Sequence, residues 1–327
     1  MSGCANGGPI DREPPLDQPN IRLVEGPGSP RTRLAIRIVL GTVLLVLLVV
    51  PAAMRLGADW LWFSEIGFER VFATELLTKG LLFVVVSVAT YALLALNLRL
   101  ARRATPGSPA FDGQLPANIA DLLARLPRLT TPVAAVFAVI AGMTATAAWM
   151  TVLQFLNGSP FGATDPVFGR DIGFYTFLLP VWSMVLGLLS TLTVLAALLS
   201  GFVYLLRGEL RPPAPQLYLS ARAGKHLAIL VAVFLVLAAA RIWLVQIPEL
   251  VYSTTGPFTG PSYTDLHARR PGLHLSAVAA LAGVVLIGLG IARRRILPNV
   301  PLAIAAYAAV SVLGRVAYPA IVQKLVV

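Results

Sequence analysis

Three histidines, His226, His267 and His274, are the first residues to weigh for catalysis or metal binding in this chain. A zinc site needs three or four nitrogen or sulfur ligands converging on one ion. His226 falls at one end of a long apolar run and His267 and His274 near the opposite end of the next, so the three do not converge. Ser276 follows His274 closely, but an activated nucleophile needs a base oriented by a third group, and the sequence holds no Gly-x-Ser-x-Gly elbow. Glycine-rich phosphate loops are missing too. Asp165, Asp171, Glu249 and Asp265 offer hard oxygen ligands, yet their spacing fits no EF-hand or comparable metal loop. Asp165-Pro166 reads as a turn start, and Asp171 and Asp265 as caps of the helices that follow. The residues therefore predict no catalytic site, no metal and no cofactor, and a chain that is not an enzyme.

Charges inside apolar runs carry more information, because an ionisable group at membrane depth faces protein or water rather than lipid. Lys79, Arg241 and Arg315 are three such cations, and Glu65, Glu249 and Asp265 are carboxylates on the same predicted side, so the six form a candidate outer-leaflet charge cluster. Two readings stay open. The cations snorkel to the interface or pair with Glu65, Glu75 or Glu249, or they line a vestibule that attracts anions. Aromatic and acidic residues between the runs form a second candidate set, a docking or interface surface: Asp59, Trp60, Trp62, Phe63, Phe161, Asp165, Asp171, Tyr175, Phe258 and Tyr263. Such rings suit the boundary between water and hydrocarbon. A ligand groove lined by them would need convergent polar groups as well.

The elements that position these residues are apolar helices. Of the 327 residues 57% are hydrophobic and 13% charged, and the mean hydropathy is +0.78, well outside the balance of a water-soluble domain. Runs at about 34–54, 76–97, 132–153, 180–206, 226–247, 273–291 and 300–318 each approach or exceed the length that crosses roughly 30 Å of hydrocarbon at about 1.5 Å per residue. The expected fold is an all-α integral membrane protein, a bundle of about seven transmembrane helices with interfacial aromatic segments on the outer face. Residues 1–30, with six Pro and five Gly, bury too little to order themselves and are expected to be a disordered cytoplasmic tail. The segment Leu115 to Leu129 places Leu115, Ile119, Leu122, Leu123 and Leu126 at helical spacing, as an interfacial helix or a packed loop helix would.

Charge sets the orientation. With the N-terminal tail and the even-numbered loops on the cytoplasmic side, 17 of the 26 basic residues lie there, while the other side keeps nine against eight acidic residues. That asymmetry predicts a cytoplasmic N-terminus and, after seven spans, an extracytoplasmic C-terminus in a bacterial cell membrane. The net charge of +11 is spread between apolar runs rather than gathered on a polar domain, so the lipid bilayer is the predicted partner and nucleic acid is not. Cys4 is the only cysteine and reads as an incidental tail residue. Gly158 to Asp165 also resembles Gly256 to Asp265, which parallel repeats or shared turn chemistry would explain equally.

The predicted outer segments are patterned. The first reads Asp59-Trp60-Leu61-Trp62-Phe63-Ser64-Glu65-Ile66-Gly67-Phe68; the second runs from Phe161-Gly162-Ala163-Thr164-Asp165 through Phe168-Gly169-Arg170-Asp171-Ile172-Gly173-Phe174-Tyr175; the third contains Tyr252-Ser253 and Phe258-Thr259-Gly260-Pro261-Ser262-Tyr263-Thr264-Asp265. In this order they resemble uncharacterised protein family 0182, bacterial multi-pass membrane proteins without an assigned activity. The resemblance covers about residues 31 to 327. It implies a block of seven membrane helices followed by a large extracytoplasmic region, and this sequence stops at Val327 where family members continue. The expected function is a membrane anchor or scaffold for an extracytoplasmic region or a protein partner. A transporter or channel is the alternative, and it would need polar groups near mid-membrane, in which the helix centres are poor.

Overall fold

Among the described residues of a computed structural model of the chain, seven helices are long and apolar enough to cross a membrane, by length and composition. The structure describes residues 30–103, 117–211, 218–254 and 259–325. The predicted tail up to residue 29, with Cys4, and Phe258 lie outside them, as do the side chains of residues 117–128 in the expected interfacial stripe, while Pro30, given to the tail, opens the first helix. The chain divides into two compact units, residues 1–72 and 73–327.

In the first unit, helix α1 (Pro30–Glu65) continues through the aromatic run that the sequence places between helices. Hydropathy falls at Arg55 and Asp59, but backbone hydrogen bonding does not depend on side-chain polarity, and no Gly or Pro interrupts the helix after Gly57 until the turn at Gly67. Gly67 holds a positive φ of 73°, where a side chain would be strained. Phe63 and Trp60 close on Phe72 at ring-centroid distances of 5.4 and 5.9 Å.

Helix α2 (Glu69–Arg102) begins in that unit and enters the second, followed by α3 (Ala117–Thr146), α4 (Trp149–Leu156), α5 (Leu179–Leu206), α6 (Ala221–Arg241), α7 (Arg270–Ala292), α8 (Ile296–Val312) and α9 (Tyr318–Leu325). The span expected over 132–153 is broken at Ala147–Ala148, and the last helical stretch runs on past 318 to Leu325. A two-residue ladder, β1 (Leu210–Arg211) against β2 (Tyr218–Leu219), and an isolated antiparallel bridge between Thr164 and Asp171 are the β pairings among the described residues.

Helices α5 to α8 pack as antiparallel neighbours. One core joins α6, α7 and α8 through Leu235, Ala277, Ala280, Ile287 and Ala303; another joins α2, α3, α5 and α6 through Leu94, Leu98, Ala134, Val203 and Leu230. Small residues set the spacing of α7 and α8: a Cβ on Gly272 would stand 1.9 Å from the Gly314 carbonyl oxygen. Such residues let backbones approach where dispersion between helices must hold them together. Outward faces remain apolar, with Leu77 74%, Leu198 66% and Val285 62% exposed.

Antiparallel order gathers the polar residues at two ends. At the arginine end, Arg102 bonds Thr131, Arg207 bonds the Arg102 carbonyl and Arg222 the Arg103 carbonyl. His226 there lies between the Tyr204 hydroxyl at 2.8 Å and the Asn97 Oδ1 at 3.0 Å, tying α6 to α5 and α2. Because Asn97 accepts through Oδ1, His226 donates from Nε2 and accepts the hydrogen bond of the tyrosine hydroxyl at Nδ1, so a neutral imidazole satisfies both bonds. The opposite, aromatic end carries the candidate site.

Candidate functional site

At the aromatic end a loop, residues 157–173, joins α4 to α5 and is built around two carboxylates. Asp165 sits directly before a tight turn, and its side chain takes N–H bonds from Val167 at 2.8 Å, Phe168 at 2.6 Å and Arg170 at 2.9 Å. The Tyr175 hydroxyl adds a fourth bond at 2.8 Å. Asp165 is 7% exposed. Burial alone would raise its pKa, but the bonds from Phe168, Arg170, Tyr175 and Val167 favour the anion and hold it below the usual carboxylate value. Asp171 receives the N–H groups of Phe161, Gly162 and Gly173, and the Phe161 bond leads in holding its pKa low against desolvation. The turn read at Asp165-Pro166 is therefore a four-donor anchor, and Asp171 caps the following helix through Gly173 while gripping the loop's entry.

Rings lock this loop to the helices. The Arg170 guanidinium lies 4.4 Å from the Phe174 ring centroid and Arg270, from α7, 5.3 Å from that of Phe168. Phe161 stacks on Phe177 at 5.8 Å yet stays 58% exposed. Tyr175 meets Tyr252 edge-on at 5.9 Å, and both line an open cavity of about 480 Å³ with Leu179, Ser183 and Glu249.

The same end holds four five-residue π turns, Phe174–Leu178, Ile242–Gln246, Asp265–Arg269 and Leu313–Ala317, at the start of α5, the end of α6, the start of α7 and the end of α8. Wide turns of this kind are rare and concentrate at functional sites. Most of the singled-out polar residues of α5 to α8 fall in or beside one: Tyr175 in the first, Arg241 directly before the second, Asp265 opening the third and Arg315 within the fourth.

The predicted charge cluster divides into local pairs. Lys79 bonds Glu75 one turn earlier on α2, and its ammonium lies 5.4 Å from the Trp149 ring centroid. Asp265, fully buried, pairs with Arg269 at 2.8 Å and accepts both the N–H and the hydroxyl of Ser262. Arg241 lies within electrostatic reach of Glu249, while its Nε is buried without a hydrogen-bond partner. The partner of Arg315 is a serine: its Nε reaches the Ser276 hydroxyl at 3.4 Å, which itself donates to the Gly272 carbonyl, and its Nη2 is buried and unbonded. Glu65 closes α1 in the first unit.

Of the docking set, Trp60 is 47% and Trp62 57% exposed on α1, which also carries Asp59 and Phe63. Tyr263, half exposed, stacks on His267 at 4.1 Å. The two resembling stretches end in carboxylates with different work, Asp165 organising the turn after it and Asp265, in the first turn of a helix that begins at Tyr263, bonding back to Ser262 and binding Arg269. Sequence reading missed Arg170, Arg270 and the Thr264 to Gln323 side-chain bond at 2.6 Å. An arginine beside a phenylalanine-rich turn was the available signal for Arg170, and Arg270 had none in its neighbours. Among the described residues no three His, Cys, Asp or Glu side chains come together as metal ligands.

Comparison with known proteins agrees with the patterned segments. The family model described as "Uncharacterised protein family (UPF0182)" matches residues 36–327. A UPF0182 protein of Mycobacterium marinum is 34% identical over 90% of this chain and 30% of its own length, and one of Rhodococcus erythropolis 32% identical over 90% and 31%. A third, from Kocuria rhizophila, is 34% identical over 79% of this chain and 26% of its own length. The chain thus spans about 30% of the length of the curated relatives it matches. No solved structure matches it. The chain belongs to the uncharacterised protein family UPF0182.

Proposed function

We propose that this chain is a multi-pass protein of the bacterial cell membrane, N-terminus cytoplasmic and C-terminus extracytoplasmic, and that it anchors an extracytoplasmic region or partner on its aromatic end. The membrane part is supported by helices whose outward faces are apolar, because water would oppose exposing so many large aliphatic side chains. The anchoring part is carried by one observation: the loop over 157–173 is held by two carboxylates with seven bonds between them. A surface so braced presents Phe161 without the ordering cost that a mobile loop would add to binding. In the relatives a block like this one is joined to a longer remainder. The reading assigns the block no catalysis of its own and no nucleic acid.

Labelling tests the orientation. Cys4 is expected to resist an impermeant thiol reagent in intact cells, and Ala163→Cys in a Cys4→Ser background to react with it. The reverse pattern overturns the topology. For anchoring, the part of the M. marinum relative outside the matched stretch, supplied as a separate chain, is expected to bind the purified block and to weaken with Phe161→Ala and Tyr263→Ala. Failure to bind refutes the anchor. The buried polar atoms of Arg241 and Arg315 within the long helices favour a second reading, a solute path. Ion or solute flux through vesicles holding only this block would establish that one instead.

A further inference from the structure

At the arginine end a cavity of about 430 Å³ opens between α6, the α7–α8 turn and the start of α8. Its charged lining is Lys225 and Arg294, with Ser220 beside them and Leu219, Ile296 and Leu297 as apolar walls. Among the described residues neither cation makes an ion pair. Arg294 is the one described non-glycine residue at positive φ, 55°, so the turn holds it in a conformation that an arginine seldom adopts. The nearby carboxylate, Glu209, is 5% exposed and receives the Ser220 hydroxyl at 2.6 Å, which leaves the exposed charge of the cavity positive. The first turn of α6 is already capped by Ser220.

A second cavity, about 330 Å³ and almost wholly apolar, follows the seam of α6 and α7. Ile229, Val233 and Val236 form one wall and Val284, Ile287 and Gly288 the other. Ile291 lines both cavities, so the cationic mouth and the apolar groove adjoin at that side chain. From Lys225 to Val236 the two cavities together follow α6 for about 16 Å at about 1.5 Å per residue, roughly half of a 30 Å hydrocarbon core.

We infer that this composite cavity is a binding site for one anionic phospholipid, its phosphate held by Lys225 and Arg294 and one acyl chain laid along the α6–α7 groove. The inference rests on the membrane placement proposed above and goes beyond it. A free inorganic anion would use the mouth and leave the groove empty, whereas a zwitterionic lipid would fill the groove and gain less at the mouth. An anionic lipid alone uses both, and the arginine end is the end predicted to face the cytoplasmic leaflet, where anionic lipids raise the benefit of each basic residue.

Three variants separate the parts. Lys225→Gln and Arg294→Asn remove the charges, asparagine being at ease at positive φ. Gly288→Leu narrows the groove, and an added Cβ there meets nothing within 4 Å, so the substitution starts into open space. The full chain is taken from the membrane fraction into detergent, and its unfolding midpoint is followed while phosphatidylglycerol, phosphatidylcholine or inorganic phosphate is added. Phosphatidylglycerol is expected to stabilise the parent more than phosphatidylcholine, and inorganic phosphate not at all. Each charge removed is expected to weaken phosphatidylglycerol about five-fold, and both together about 30-fold. Gly288→Leu is expected to weaken both lipids. Equal response to the two lipids, a preference that survives the double charge variant, or stabilisation by phosphate alone overturns the site. Absence of the chain from the membrane fraction overturns the membrane placement itself, and the site with it.

Discussion

Replacing Asp165 removes an acceptor that four donors share, and the consequence can be worked from the loop. Bonds to a charged acceptor contribute roughly 1.5–3 kcal/mol each, a gross of about 6–12 kcal/mol for the four. Three of those donors are backbone N–H groups on a part-buried loop, which water reaches once the carboxylate is gone. The stranded donor is the hydroxyl of Tyr175, whose residue is 4% exposed. The net loss for Asp165→Ala is therefore set by that one group plus the ordering of the loop, about 2–4 kcal/mol. Asp165→Asn keeps one oxygen for Val167 and Phe168 and turns an amide toward Arg170 and Tyr175, a loss of about 1–2 kcal/mol. Detergent unfolding gives the ranking, and tryptic cleavage after Arg170 reports the loop directly, since local opening exposes that bond before the helices part. If Asp165→Ala leaves both the midpoint and the cleavage rate at Arg170 unchanged, the carboxylate does not organise the loop, and the platform built on it fails too.

Acid should act on the same loop: Asp165 and Asp171 have folded pKa values below their ordinary one, so their stabilisation is complete above about pH 4 and is lost as pH falls through the lower folded values. Tryptophan fluorescence is expected to show an acid transition that moves when Asp165 is replaced by Asn. At the α7–α8 contact, Gly272→Ala drives a methyl into the Gly314 carbonyl and should cost about 1–3 kcal/mol or more, against nearly nothing for Gly288→Ala in open space. Equal midpoints for the two would show that the backbones do not touch. Arg241→Leu and Arg315→Leu separate two roles: Arg315→Leu should change stability little, because its bond to Ser276 is long and part of its guanidinium is unbonded, whereas Arg241→Leu removes the cation within electrostatic reach of Glu249 and should destabilise. A larger loss from Arg315→Leu would reverse that assignment. Lys79→Leu should lose under about 1 kcal/mol, as a partly exposed pair on one helix does, and a loss of several would mean that Lys79 serves a contact beyond Glu75 and Trp149.

The helices were legible in the chain because long runs of Leu, Val and Ala state their preference within a window of about twenty residues. About seven were expected, and among the described residues seven are long and apolar enough to span. Their ends were not legible: hydropathy drops at Asp59, yet the helix runs to Glu65, since backbone bonding stops where Gly67 turns the chain and not where side chains become polar. Of the candidate charges, the Lys79 and Glu75 pair is one helical turn long and was among the pairings the sequence offered.

By itself, then, the sequence determined the all-α class, the seven apolar helices and, through three patterned segments, the family. Tertiary structure alone decided which donors meet Asp165, why Arg315 ends on Ser276 rather than on an acid, and that a cationic mouth and an apolar groove share Ile291 as a wall. The physical reason is one of range. Hydropathy and helix formation are summed along neighbouring residues, whereas a hydrogen bond of about 3 Å or a shared cavity wall depends on distant segments arriving in one place.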